Sequence, residues 1–239
     1  MERIDKILSS CGTMSRKEAG LAVRKGRVMV NGTLVYSASQ KVNPDTDQIM
    51  LDGAPFFYHK VLWLMLNKPD GVLSAARDPK QKTVLDLVPE ELRRKGLFPA
   101  GRLDKDTTGL LILTNDGEAA HHMLAPKSHV MKKYRARLDA PLPLDAKERF
   151  AKGIALSDFT TLPSSLKILE EGSQPLCEVQ IHEGKFHQIK RMFLALGCTV
   201  IGLERTAIGS LALDPLLELG ECRQMTEEEI RLVFREPKE

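Results

Sequence analysis

The sequence lacks the cysteine patterns that stabilise small secreted domains or hold structural zinc. Its four cysteines, Cys11, Cys177, Cys198 and Cys222, are widely spaced, with no C-x-x-C pair and no histidine at zinc-ligand spacing. In a chain of 239 residues such thiols are expected to be reduced residues of the core or the surface. We therefore expect no bound metal.

Long apolar runs are also missing. No stretch approaches the ~18 consecutive apolar residues of a membrane-spanning helix. The first five residues, M-E-R-I-D, lack the apolar core of a signal peptide. The sequence thus predicts a cytoplasmic protein with no membrane partner.

The composition is that of an ordinary globular protein, with 42% hydrophobic and 28% charged residues. The length exceeds the roughly 100–150 residues of a typical single domain, which favours two domains. The net charge is only +3, but residues 1–32 contain seven lysines and arginines against three acids. A basic module attached to a near-neutral body indicates a polyanionic partner.

The first fifty residues carry strong local signals. Ser15 and Glu18 have the spacing of a capping box, which predicts a helix over 16–25 that stops at Gly26. Apolar residues at helical spacing within 4–8 indicate an earlier helix.

A hairpin is predicted after this helix. Asn31-Gly32, between apolar stretches at 28–30 and 33–35, is typical of a two-residue β-turn. A polar turn at 43–45 and a strand at 48–51 follow. Residues 52–55, D-G-A-P, are typical of a linker.

The motifs R-I-D-K-I-L, S-R-K-E-A and G-R-V-x-V-N-G together resemble the S4 RNA-binding domain. The resemblance implies a small αL-type domain over 1–52 and a linker over 53–60. It also implies that basic side chains contact RNA phosphates and fix the register without reading bases. These side chains are Arg3, Arg16, Lys17, Arg24 and Arg27.

Residues 61–239 alternate strands and short helices without a regular period, which favours an α+β domain over a doubly wound parallel sheet. A buried strand is predicted at 61–66, followed by a turn at 67–71. The predicted helices cover 90–95, 118–124, 145–152, 187–196 and 226–234.

The most informative segment is G-R-L-D-K-D-T-T-G-L-L-I-L-T-N-D-G, residues 101–117. Asp104 follows Arg102 in a charged loop between Gly101 and Gly109, and an apolar run comes next. A charged loop held between glycines and a buried strand presents one reactive group rigidly. Asp104 is therefore the candidate catalytic residue.

Two further segments combine cations with groups that can contact a substrate. Tyr134 follows two lysines at the start of a predicted strand. The segment E-G-K-F-H-Q-I-K-R-M, residues 183–192, opens a helix with Lys190 and Arg191 near its N-terminus, where the macrodipole disfavours cations. An anion should offset this cost, either Asp104 or a phosphate.

Together the motifs G-R-L-D-K-D-T-T-G-L-L, N-K-P-D-G, K-K-Y and E-G-K-F-H-Q-I-K-R-M-F resemble those of the pseudouridine synthases. The C-terminal segment points to the branch that modifies the small ribosomal subunit. The resemblance implies a catalytic domain over 61–239 with a mixed, mainly antiparallel sheet.

The implied reaction is isomerisation of uridine to pseudouridine in small-subunit ribosomal RNA, at uridine 516 of 16S rRNA. It needs no cofactor and no metal. The implied partner is free RNA or an assembling 30S particle, and we expect a monomer.

The same resemblance assigns roles to residues. Asp104 acts as nucleophile or base, while Arg102 and Lys190 favour its charged form. Tyr134 stacks on the uracil ring, and Arg102 fills the space left by the extruded base. The other implied RNA-binding side chains of this domain are Lys132 and Arg191.

Lys190 departs from the family pattern, because many members carry arginine at this position. The positive charge is kept, but the bidentate geometry that arginine offers to a carboxylate is lost.

Other functions fit parts of the sequence. Residues 104–108 spell D-x-D-x-T, the nucleophile motif of haloacid-dehalogenase-type phosphatases, but proline and glycine stand where that motif needs an apolar strand. The main alternative is a non-catalytic S4-type RNA-binding ribosome assembly factor, which would not need the long segment 61–239. Adjacent His121 and His122 face different directions on a helix, so they do not indicate a metal.

Overall fold

The structure is a computed structural model that describes residues 1–10, 14–44, 46–56, 58 and 61–236. Cys11, the last residue of the predicted turn at 43–45 and three residues of the predicted linker lie outside the described residues. Contacts divide the chain into two units, Met1–Leu62 with Val88–Leu97, and Trp63–Leu87 with Phe98–Glu239.

The described residues of the first unit form short helices and strands. They are α1 (Ile4–Ser10), α2 (Arg16–Arg24), β1 (Glu2–Arg3), β2 (Val28–Val30), β3 (Thr33–Leu34), β4 (Lys41–Val42), β5 (Ile49–Leu51), β6 (Ala54–Pro55) and a 3-10 turn at Glu90–Leu92. Strand β1 pairs with β4, and a second sheet has the order β3-β2-β5-β6. Apolar residues of both helices and of β2, β4 and β5 form one core, which includes Ile4, Leu8 and Val23.

The boundaries of α2 confirm the prediction made from the capping box. The Ser15 hydroxyl accepts a hydrogen bond from the Glu18 N–H at 3.2 Å, and the Glu18 carboxylate accepts one from the Ser15 N–H at 2.6 Å. Gly26 has φ +69°, the left-handed conformation that ends a helix at low cost for glycine.

Two hairpin turns connect paired strands in the first unit. Asn31 and Gly32 have φ of 50° and 77°, the positive values that a type I′ turn requires, as predicted. Asp52 and Gly53, with φ of 54° and 79°, form a similar turn between β5 and β6. The start of the predicted linker is therefore paired backbone, because Asp-Gly tolerates the same positive φ values as Asn-Gly.

The second unit is an α+β structure, as predicted. Its strands are β7 (Trp63–Lys68), β8 (Phe98–Pro99), β9 (Thr108–Thr114), β10 (Lys132–Leu138), β11 (Ser165–Glu170), β12 (Leu176–Ile181), β13 (Val200–Ile208), β14 (Leu211–Ala212) and β15 (Cys222–Gln224). Its helices are α3 (Gly117–Leu124), α4 (Ala146–Lys152), α5 (Gln188–Leu194) and α6 (Glu227–Val233), with 3-10 turns at Val84–Leu87 and Pro126–Ser128.

One sheet organises this unit, with strand order β11-β12-β10-β13-β9-β7-β15; β8 pairs with β9 and β14 with β13. Of the pairs among its described strands, only β9 with β13 is parallel. The mixed, mainly antiparallel sheet is therefore confirmed. Strands β7 and β9 are buried almost throughout, and Trp63 is a core residue, as predicted.

Most predicted helices are present, but one prediction was wrong. Residues 90–95 form only the 3-10 turn at Glu90–Leu92, because Pro89 and Gly96 leave too little chain for a stable α-helix. The strand predicted at 61–66 starts two residues later, and it continues to Lys68.

Gly109 sets the start of β9. Its φ is +96°, and a Cβ at this position would lie 2.4 Å from the backbone oxygen of Arg205 on β13. Glycine is therefore required where the two parallel strands meet, directly after the loop that carries Asp104.

Candidate active site

The Asp104 loop connects β8 to β9 in the second unit. Asp104 lies between buried Leu103 and exposed Lys105, and its side chain is 25% exposed. The Thr107 N–H donates to the Asp104 carbonyl at 3.1 Å, which closes a tight turn around the carboxylate. Local backbone geometry thus presents the carboxylate to solvent while anchoring both its neighbours.

Lys68, at the end of β7, donates hydrogen bonds to the backbone of this turn. Its ammonium is fully buried and donates to the carbonyls of Pro69, Lys105 and Thr107 at 3.0, 3.0 and 2.9 Å. Burial lowers the pKa of Lys68 to about 8, although nearby aspartates including Asp104 act in the opposite direction. A buried ammonium whose three donors are all used fixes the backbone on either side of Asp106.

Ser74 fixes the other side of the loop. Its hydroxyl donates to the Leu103 carbonyl at 2.8 Å and accepts from the Leu103 N–H at 3.0 Å. The Gly71 N–H adds a hydrogen bond to the Lys105 carbonyl at 3.0 Å. The turn that follows β7 is therefore a brace for the residues flanking Asp104.

Lys190, on α5, is the cation that contacts Asp104. Its Nζ lies 3.2 Å from Asp104 Oδ2 and 2.5 Å from Asp106 Oδ1. Burial disfavours its charge, but hydrogen bonds to Asp106 and then Asp104 outweigh burial and raise the pKa of Lys190. The hydrogen bond from Lys190 also lowers the pKa of Asp106.

The sequence predicted an anion beside the cations at the start of α5, and both Lys190 and Arg191 have carboxylate partners. Asp104 and Asp106 neutralise Lys190, and Arg191 forms an ion pair with Asp158. The Arg191 guanidinium also lies 5.4 Å from the ring centroid of Phe159.

His187 precedes α5 in a left-handed conformation with φ 48°. Its Nε2 is 3.6 Å from Asp104 Oδ1. This residue was not selected from the sequence, because nothing in the local pattern of 183–192 shows which side chain turns toward Asp104.

Tyr134 lines the same cavity as Asp104. Its ring, on β10, is 7% exposed, and the cavity wall also includes Arg102, Thr107 and His187. The buried Arg205, its partner across the sheet, lies with Cζ 6.0 Å from the Tyr134 ring centroid and donates to the Leu110 carbonyl at 2.8 Å. The sequence did not predict a role for Arg205, because only the register of β13 against β10 places it beside Tyr134.

Arg102 and Lys132 differ in their surroundings. Arg102 is exposed at the cavity edge and forms no ion pair with any residue of the described chain. Lys132, two residues before Tyr134 on β10, is partly buried, and burial together with the Arg205 charge lowers its pKa to about 8.

The basic residues predicted for the first unit fall into two groups. Asp5 accepts from Arg3 and lies 3.6 Å from Arg16, and Asp52 forms a bidentate pair with Arg27. The second group is exposed and forms no ion pair within the described residues, and it consists of Lys17 and Arg24.

Other chemistry has little support in the described part of the chain. No group of three or more His, Cys, Asp or Glu side chains there could hold a metal ion. Cys177 and Cys198 are buried free thiols. Among the described helices, none has both the length and the apolar character to cross a membrane.

Comparisons with known proteins identify the family of the chain. The family described as RNA pseudouridylate synthase matches residues 62–195, and the S4 domain matches residues 2–49. The chain belongs to the RNA pseudouridine synthase family and is an enzyme of that class, with an N-terminal S4 domain.

Relatives match along nearly the whole chain. An uncharacterized RNA pseudouridine synthase of Bacillus subtilis (strain 168) is 42% identical over 97% of this chain and 98% of its own. Ribosomal small subunit pseudouridine synthase A of Escherichia coli (strain K12) is 40% identical over 97% and 99%. A solved structure described as a pseudouridylate synthase covers 98% of this chain and 100% of its own, with 35% identity and a TM-score of 0.67.

Proposed function

We propose that this enzyme converts one uridine of small-subunit ribosomal RNA to pseudouridine, at uridine 516 of 16S rRNA. The names of its relatives from Escherichia coli and Vibrio cholerae support the ribosomal substrate. The observation that carries the proposal is the carboxylate of Asp104, 3.2 Å from the Lys190 ammonium in a cavity shared with Tyr134.

The reaction suits the residues of the cavity. The N-glycosidic bond breaks, the uracil turns, a carbon–carbon bond to the ribose forms, the proton on the newly bonded carbon leaves, and the freed ring nitrogen takes up a proton in its place. Atoms and charge balance without a redox step or an added group. The protein must therefore supply only a carboxylate that acts on the sugar, as nucleophile or base, and a place for the base to turn.

Asp104 is the carboxylate in this proposal, and the Lys190 ammonium pairs with it at 3.2 Å. The same ammonium also forms an ion pair with Asp106, so it holds the two carboxylates on one side of α5. Hydrogen bonds from Lys68 and Ser74 hold the backbone on either side of Asp104, which reduces the entropy cost of reaching the reactive geometry.

Tyr134 provides the apolar face against which the uracil stacks, and Arg102 enters the duplex space that the base vacates. Extrusion of a paired base costs a few kcal/mol. Contacts to phosphates offset that cost, and exposed, unpaired cations are the groups best placed to make them.

The S4 unit is the phosphate-binding anchor in this proposal. Lys17 and Arg24 lie seven residues apart on one face of α2, whereas Arg3, Arg16 and Arg27 are held by carboxylates and contribute less. The proposed arrangement is RNA binding by residues 1–52 and catalysis by residues 61–239. The enzyme acts as a monomer in the cytoplasm, on free RNA or an assembling 30S particle.

Replacement of the carboxylate by its amide tests the central role. We expect Asp104→Asn to abolish pseudouridine formation on 16S rRNA while the affinity for that RNA stays within about twofold of the native chain. The amide keeps the size of the side chain but can neither attack nor accept a proton.

The assay measures pseudouridine by nucleoside analysis, in parallel with a filter-binding curve. Asp145→Asn is the matched control, because Asp145 is exposed and its side chain makes no capping hydrogen bond. Turnover by the Asp104→Asn variant would contradict the proposal. Retention of pseudouridine at position 516 in cells that lack this protein would contradict the assigned target.

A further inference from the structure

Phe186 exposes an unusually large aromatic surface beside the proposed active site. Its side chain is 76% exposed, although it neighbours the residue that contacts Asp104. Burial of such a ring away from water is favourable. A folded chain that leaves it in solvent next to a substrate cavity forgoes that gain.

The ring is nevertheless held in a defined position. It stacks on the His187 imidazole with ring centroids 3.8 Å apart and an interplanar angle of 16°. The loop itself is braced, because the Gln188 side chain accepts from the Lys185 N–H at 2.9 Å and donates to Glu183 at 2.8 Å. The second face of Phe186 is therefore presented, already oriented, to solvent.

The surroundings of this ring are those of a nucleic-acid cleft. Phe186 and His187 line a cleft together with Arg102, Asp104 and Lys185. A planar aromatic face with cations on the same cleft wall matches a nucleobase and its phosphate. The Asp104 carboxylate, 3.6 Å from His187, marks where the sugar of the reacting uridine lies.

The geometry points to Phe186 as a stacking platform for an unpaired nucleobase adjacent to the extruded uridine. The inference rests on the proposed function. Tyr134 contacts the reacting base, whereas Phe186 holds a neighbouring base and so keeps the strand open. Stacking on an aromatic side chain is tolerant of sequence and does not release counterions.

Two substitutions at this position separate stacking from simple apolar contact. We expect Phe186→Leu, which keeps an apolar side chain, and Phe186→Ala to weaken binding of 16S rRNA about tenfold. Phe186→Trp keeps the native affinity because it retains a π-face. Leu144→Ala is the control, since Leu144 is fully exposed, apolar and remote in sequence from the cleft residues.

Three measurements are made on each full-length variant: filter binding from 50 to 300 mM salt, KM with kcat for pseudouridine formation, and thermal unfolding. We expect the slope of log K against log salt to match the native chain, KM to rise, and kcat and the unfolding midpoint to remain unchanged.

Native affinity in Phe186→Leu, or a reduced salt slope, would overturn the stacking platform. A fall in kcat at unchanged KM would also overturn it, because the ring would then act on Asp104 through His187. A native chain that binds the RNA but forms no pseudouridine would instead overturn the proposed function, and the binding comparison would still decide the role of Phe186.

Discussion

At the residue scale, Lys68 does more than the sequence pattern N-K-P-D-G indicates. The pattern predicted a strand followed by a turn, and both are present. It did not predict that the lysine would be buried with its ammonium between three carbonyls of two loops. Lysine in an otherwise apolar strand was the available signal, since a lysine is almost never fully buried unless its charge is paired or hydrogen-bonded.

Lys68 also gives a pH-dependent stability. Its pKa is about 8 in the folded chain and near 10.5 when unfolded, so between these values the unfolded chain binds more protons. The contribution of Lys68 to the free energy of unfolding therefore rises with pH between about pH 8 and pH 10.5. We expect the difference in unfolding free energy between the native chain and Lys68→Met to grow from pH 8 to pH 10.

Urea unfolding at several pH values measures this difference, and comparison of the two chains cancels the titration of all other lysines. A difference that shrinks as pH rises would show that the folded-state pKa of Lys68 lies above its ordinary value.

At the element scale, the join between β9 and β13 depends on one glycine. A Cβ at Gly109 would meet the Arg205 carbonyl at 2.4 Å, and its φ of +96° disfavours any other residue. We expect Gly109→Ala to destabilise the chain by more than about 2 kcal/mol, through steric overlap and backbone strain.

Gly117→Ala is the matched control, because Gly117 opens α3 with ordinary φ and nothing lies within 4 Å of its added Cβ. Its unfolding free energy should stay equal or rise by a few tenths to about 1 kcal/mol. Denaturant unfolding of both variants provides the test, and equal stability of the two would refute the close approach.

Elements with local signals were predictable from the sequence. Ser15 and Thr226 begin helices with complete capping boxes, and Asn31-Gly32 forms its hairpin turn. These signals act within four residues, so tertiary context does not change them. Asp52-Gly53 carries a comparable signal, but the segment D-G-A-P is also typical of a linker, and the structure forms a hairpin turn there.

Contacts between distant segments were not predictable in this way. Asp104 could be selected because its own loop presents it. Arg205 lies beside Tyr134 only through the register of β13, and His187 reaches Asp104 only through the left-handed turn before α5. A single sequence contains no local pattern from which the pairing register of β10 with β13 can be predicted. The carboxylate partners of Arg16 and Arg27, which lie on separate segments, were missed for the same reason.

At the scale of the whole molecule, a binding unit and a catalytic unit make separable electrostatic contributions. Lys17 and Arg24 are exposed and unpaired within the described residues. We expect the double variant Lys17→Gln/Arg24→Gln to bind 16S rRNA more weakly and to reduce the salt slope by about 1.4, as expected for two lost contacts to single-stranded phosphates.

Arg27→Gln is the comparison, because Asp52 already neutralises the Arg27 guanidinium and its loss should change the slope by less than about 0.7. Filter binding across a salt series gives both slopes. Equal slopes for the native chain and the double variant would show that α2 does not bind phosphate.

The parallel pairing of β9 with β13 has a consequence for synthesis of the protein. The backbone oxygen of Leu110 accepts a hydrogen bond from a side chain 95 positions later. Strand β9 can pair with β7 and β8 before then, but its pairing with β13 cannot form until residue 205 has left the ribosome. A nascent chain that ends before β13 carries the Asp104 loop on an incomplete sheet, with an uncovered edge on the apolar strand β9. Formation of the β9–β13 pair beside the Asp104 loop therefore waits until a segment 95 positions downstream has been synthesised.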